Sequence, residues 1–142
     1  MRIALDTAAM VAAIRSNLGA SNRLLAAGLE RRLTLLVSTP LLLEYEAVMT
    51  RPDHLVASGL SADDVGTVLD AVAATAQPVR LAFLWRPALR DPDDDMVLET
   101  AVNGQADAIV TFNKRDFGAV ADRFGVALWS PGEALGRLEA YR

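Results

Sequence analysis

The sequence predicts an α/β fold of three layers, helix–sheet–helix, around a central and mainly parallel sheet. Two observations carry that expectation. Short apolar runs of strand length, such as Ile3-Ala4-Leu5 and Ala108-Ile109-Val110, are continuous rather than alternating, as in strands covered on both faces. Segments of helical periodicity separate them, which implies βαβ units and a parallel sheet with helices on both sides.

Taken in order, the first strand ends at Asp6, and a helix is expected over residues 8–18 with Met10, Val11 and Ile14 on one face. Leu24, Leu25, Ala27, Gly28 and Leu29 mark a second helix, closed by Glu30-Arg31-Arg32, and Thr34 to Ser38 is strand-like. Pro40 opens a third helix, because its missing N–H costs nothing in a first turn. That helix carries Leu41, Leu42, Tyr45, Val48 and Met49 and is expected to stop near Arg51-Pro52, leaving His54 in a loop without a role. Ser61 caps a helix running to about Ala76, with acids in its first turn. A strand is expected over Pro78 to Leu84, then a helix capped by Asp91, with Pro92 in its first turn. Asp107 to Thr111 and Val126 to Trp129 are the last strands, and Ser130-Pro131-Gly132-Glu133 is a capping box for a final helix bearing Leu135 and Leu138.

Length and composition bound the chemistry. With 142 residues, 52% of them hydrophobic and 23% charged, the chain is expected to be one domain spanning 1–142 with a compact core. No apolar run approaches the roughly 20 residues of a membrane span, and Asp6 interrupts the place of a signal peptide, so a cytosolic, soluble protein is expected. The absence of cysteine excludes disulfides, thiolate metal sites and cysteine nucleophiles. A single histidine, His54, excludes histidine-pair chemistry, leaving carboxylates, hydroxyls, amides and arginines. The net charge of −4 argues against a broad basic nucleic-acid surface, though not against an approach to phosphate through bound metal. Lys114 is the only lysine; the remaining cations are arginines.

Four acidic positions stand out. Asp6 ends an apolar strand, at the carboxyl edge where open sheets bind ligands, and a turn or N-cap role is the plain alternative. Glu44 follows three leucines on a mostly apolar helix, where a carboxylate must be paired or hold a cation; Glu46 projects elsewhere and should be solvated. Asp91 to Asp95 supplies four aspartates in five residues, a density beyond what capping needs. Either Asp94 or Asp95 projects inward, and the seven-residue interval to Ala101 favours Asp94. Asp116 follows the strand that ends at Thr111, in a polar loop that also holds Asn113.

These pieces, in this order, resemble the PIN-domain family, in particular the bacterial PIN proteins that are toxin components of toxin–antitoxin pairs (VapC-type). The resemblance rests on Arg2-Ile-Ala-Leu-Asp6-Thr7, on Ser38 to Glu46, on Arg90 to Ala101, on Ala106 to Phe117, and on the closing stretch Val126 to Ala134. It implies a PIN-like fold and a metal-dependent endoribonuclease. Asp6, Glu44, Asp94 and Asp116 match the acids that hold Mg²⁺, with Mn²⁺ as a substitute, and Thr7 and Thr111 match nearby hydroxyl positions. Two departures weaken the pattern: Ala8 stands where the family usually has Asn or Ser, and Asn113 where an aspartate is frequent. The resemblance further implies an RNA substrate cut to 3′-hydroxyl and 5′-phosphate ends, a cognate antitoxin and a homodimer.

In that chemistry Asp6 and Asp94 bind metal directly and Glu44 and Asp116 directly or through water, while Lys114 and Arg115 either steer the RNA backbone or are simply solvated. A catalytically weakened PIN-like binding module is the alternative that Ala8 and Asn113 keep open. A phosphoacceptor receiver lacks its aspartate here, and an Asp-x-Asp phosphatase fails because Asp6 is followed by Thr7-Ala8. Trp85 and Trp129 are expected in the core or an interface. The three adjacent leucines 41–43 span about 200° of a helix, so at least one must face another layer or a second subunit.

Overall fold

A computed structural model describes residues 1–82 and 92–140. The strands are β1 (Arg2–Leu5), β2 (Thr34–Val37), β3 (Gln77–Pro78), β4 (Ala108–Val110) and β5 (Ala127–Trp129). The helices are α1 (Thr7–Arg15), α2 (Ala20–Leu29), α3 (Thr39–Met49), α4 (Pro52–Ser58), α5 (Ala62–Thr75), α6 (Pro92–Asn103), α7 (Gly118–Arg123) and α8 (Pro131–Ala140). The strands form one sheet in the order β3-β2-β1-β4-β5, and every pairing is parallel.

That order decides where a ligand can sit. From β1 the chain goes to β2 and β3 on one side, and later to β4 and β5 on the other. Right-handed crossovers in the two directions put helices on both faces, and the loops leaving β1 and β4 part at their carboxyl ends. The register brings those ends level: Leu5 lies opposite Val110, and the Asp6 amide donates to the Val110 carbonyl at 3.0 Å.

The core is the apolar sequence pattern folded inward. Ile3, Ala4, Leu5, Ile109 and Val110 are buried, as are Leu24 and Ala27 of α2, Leu41 and Tyr45 of α3, and Leu98 and Ala101 of α6. Gly28 lets α2 lie close against the sheet, since a Cβ there would stand 2.5 Å from Leu35 Cδ1. The capping boxes hold: Ser61 and Asp64 exchange bonds of 3.1 and 2.9 Å at the start of α5, and Ser130 and Glu133 of 3.1 and 3.3 Å at the start of α8.

Several boundaries differ from expectation. Helix α1 stops at Arg15 rather than residue 18, because the backbone is extended at Ser16. Strand β3 is only Gln77–Pro78, at the sheet edge where a residue without N–H is tolerated. Residues 79–82 are not strand, while Leu84 lies outside the described residues, as do Trp85, Arg90 and the expected cap Asp91. Arg51-Pro52 opens a helix instead of a loop: Pro52 occupies the first turn of α4, which places His54 on a helix.

Candidate active site

Asp6 is the N-cap of α1. Its backbone is extended (φ −70°, ψ 168°), and its Oδ1 accepts the Ala9 amide at 2.8 Å. The Thr111 hydroxyl at the end of β4 lies close enough to the same carboxylate to favour its charged form, so elements on both sides of the sheet's parting point bear on this side chain. It is 7% exposed. Burial pushes its pKa up, and the nearby Asp116 charge adds to the rise; the Thr111 hydroxyl and the Ala9 bond oppose it. The N-cap role is thus realised, and the same residue lines the cleft described next.

One cleft of about 690 Å³ collects Asp6, Glu44, Asp93, Asp94 and Asp116, together with Thr7, Ala8 and Asn113. Glu44 is half-buried on α3, and Glu46 is exposed outside the cleft. On α6 the cleft is lined by Asp93 and Asp94, both half-buried, whereas Asp95 is buried away from it. The sequence reading weighed only Asp94 and Asp95 as inward-facing and passed over Asp93. Asp116 closes a 3-10 turn (Lys114–Asp116), where Asn113 Nδ2 donates to its Oδ2 at 2.9 Å. An aspartate at 113 would repel Asp116; the amide holds it instead. The Asn113 amide bonds Thr111 Oγ1 at 3.0 Å, tying this turn to the strand end that also meets Asp6.

Whether these residues fit a divalent cation follows from their donors. The lining is rich in oxygen, the ligand type of hard cations. The Thr7 hydroxyl oxygen is buried beside Asp6 with no hydrogen-bond partner among the described residues. Among those residues no three acidic or histidine side chains stand close enough to share one ion. The sequence predicts carboxylates that converge on one ion; the four are gathered in one cleft, but among the described residues no three of them meet at one point. Mg²⁺ is commonly held by one or two carboxylates and completes its shell with water and substrate phosphate, so the open arrangement still fits it.

The cations fall in unexpected places. Lys114 pairs with Glu133 at the start of α8, and neither Lys114 nor Arg115 lines the cleft. Arg15, Arg51 and His54 do. The exposed ring of Phe112 also faces into it. Trp129 is half-buried, with the Arg137 guanidinium 4.6 Å from its ring centre.

A PIN domain family model matches residues 2–115. The match spans β1 through most of the Lys114–Asp116 turn and stops one residue short of Asp116. The chain belongs to the PIN-domain family, whose members are typically nucleases and generally use divalent metal ions. No significant match to a curated protein was found. Among the described residues no helix is long and apolar enough to cross a membrane.

Proposed function

We propose that this PIN-domain protein is a metal-dependent endoribonuclease, and that it serves as the toxin of a type II toxin–antitoxin pair. The observation that carries the reading is the lining of a single cleft by Asp6, Glu44, Asp94 and Asp116, which come from four different elements: the end of β1, α3, α6 and the Lys114–Asp116 turn. Asp6 and Asp94 would hold the ion directly, and Glu44 and Asp116 directly or through water. A Mg²⁺ bound there supplies a Lewis acid for the phosphodiester and lowers the pKa of an attacking water. The Ala9 amide keeps the Asp6 carboxylate aimed, and Asn113 keeps Asp116 in place. Hydrolysis would leave 3′-hydroxyl and 5′-phosphate ends. The toxin role adds a homodimer and a small antitoxin whose arginine enters the acidic end of the cleft.

Thermal unfolding with and without Mg²⁺ or Mn²⁺ tests the metal. Binding to the folded state alone stabilises by about 2.7 kcal/mol at a hundredfold excess over Kd. A melting temperature that ignores both ions would refute it. Co-expression with the neighbouring open reading frame tests the antitoxin: a complex that weakens when Asp94 is neutralised is expected.

A second reading, a PIN module that binds RNA or protein without cutting, is favoured by one observation, the lack of three converging acids among the described residues. It predicts RNA binding with no product even at millimolar Mn²⁺.

A further inference from the structure

The cleft is a groove with opposite charge at its two ends. Its floor is one face of α1, since Ala8, Ala12 and Arg15 fall within about 60° of one another on a helix and all line it. The facing wall repeats the order: Glu44 and Val48 lie one turn apart on α3, and Arg51 follows just beyond its end. Asp6 caps one end of α1 and Arg15 lies in its last turn, so the acidic and cationic ends are roughly 13 Å apart by the helical rise. Between them the lining is apolar, with Val11, Ala12 and Val48.

At the cationic end nothing described neutralises the charge. The Arg15 and Arg51 guanidinium groups make no ion pair among the described residues, despite the acids in the same cleft. His54 contributes Nδ1, buried and without a hydrogen-bond partner among the described residues. A buried polar atom left unpaired is unfavourable, and His54 itself lines this end of the cleft from α4.

We propose that Arg15, Arg51 and His54 form a second phosphate subsite, which holds the backbone of a single RNA strand a few nucleotides from the bond that is cut. The inference rests on the nuclease reading and deepens it. A strand fits both ends by charge: one phosphate meets the cation-loaded carboxylates, and another meets the arginines. The apolar middle accommodates the intervening sugars and bases. Arginine suits the far end because its fork contacts two phosphate oxygens at once. An acidic protein segment is the competing occupant. It is disfavoured because it would have to run from the cations toward the acidic end, where its own carboxylates are repelled.

The test is binding of a short fluorescein-labelled, phosphorothioate-linked oligoribonucleotide, followed by anisotropy over a salt series in the presence of Mg²⁺. Each of Arg15→Gln and Arg51→Gln is expected to weaken binding about fivefold at low salt. Each should also flatten the log–log salt slope by about 0.7, the value for one phosphate contact on a single strand. Arg123→Gln, on α7 and away from the cleft, serves as the control and should change neither. Unchanged slopes in both cleft variants, with wild type binding well, overturn the subsite and leave the nuclease reading standing. A wild-type protein that binds no oligoribonucleotide overturns both. A glutamate-rich peptide that binds more tightly than the oligoribonucleotide, and is lost in the same variants, assigns the groove to a protein partner and overturns the proposal.

Discussion

The hydroxyl of Tyr45, on α3, donates to the carbonyl oxygen of Leu5, the residue immediately before Asp6. Tyr45 is fully buried, and burial together with the Asp6 charge pushes its pKa far above the usual phenol range, so it remains a neutral donor. The bond fastens α3, which carries Glu44, to the strand end that carries Asp6. Tyr45→Phe is expected to lower stability by about 1–2 kcal/mol, since the ring still packs while the buried hydrogen bond is lost. Cleavage should fall further than stability explains, because two carboxylates lose their common anchor. Urea unfolding beside RNA cleavage checks this, and an unchanged cleavage rate would show that the anchor is structural only.

Asp6→Asn should make the metal-free protein more stable at neutral pH while abolishing cleavage. Burial raises the Asp6 pKa, so between its unfolded and folded values the folded state binds more protons than the unfolded one. Stability from this group is therefore present below the unfolded value and is lost as pH rises through the raised one. Asparagine caps a helix as well as aspartate does, without that charge. In EDTA the variant should melt above wild type at neutral pH, and the gap should close at pH values below the ordinary aspartate range. A variant that melts lower at neutral pH would contradict the account.

Asp94→Asn and Glu46→Gln separate the cleft from the surface. Asp94 lines the cleft from the first turn of α6, and Glu46 is exposed two residues beyond Glu44. Removing a direct metal ligand takes away several kcal/mol of transition-state stabilisation, a loss of roughly 100-fold or more in cleavage. The Glu46 variant should stay within about twofold of wild type, since surface changes of this kind act weakly. Single-turnover cleavage of a labelled RNA reads both. Equal rates for the two variants would remove Asp94 from the site.

The acidic half of the cleft was legible because strand ends and apolar helices leave few uses for Asp6 and Glu44. The cationic half was not. Arg51-Pro52 has two local meanings, the end of one helix or the first turn of the next, and only packing decides between them. Reading it as a stop hid α4 and sent His54 to a loop. Arg15 looked like an ordinary last-turn cation, and its place in the groove depends on α3 lying alongside α1. The Lys114–Glu133 pair joins residues far apart in sequence, so Lys114 was credited with a steering role that its partner now contests. The sheet was better specified, since apolar runs too short for helices allow few alternatives. Strand β3 was overextended because the apolar run after Pro78 outlasts its pairing.

The final prediction concerns assembly. Of the six leucines in α2 and α3, Leu24, Leu25 and Leu41 are buried, and Leu29 and Leu42 pack partly against the core. Leu43 is left 61% exposed on α3. The case for a second subunit therefore rests on the outer face of α3. In a two-fold dimer a residue near the axis is buried twice, once from each copy, so a substitution counts twice. Burying one leucine side chain is worth about 1.5–2 kcal/mol, and two together correspond to a change of roughly 100-fold or more in the dimer dissociation constant. Wild type is expected to be dimeric at micromolar concentration by light scattering, and Leu43→Lys monomeric at the same concentration with an unchanged melting profile. A wild-type monomer refutes the dimer, and a Leu43→Lys dimer moves the interface off this face of α3.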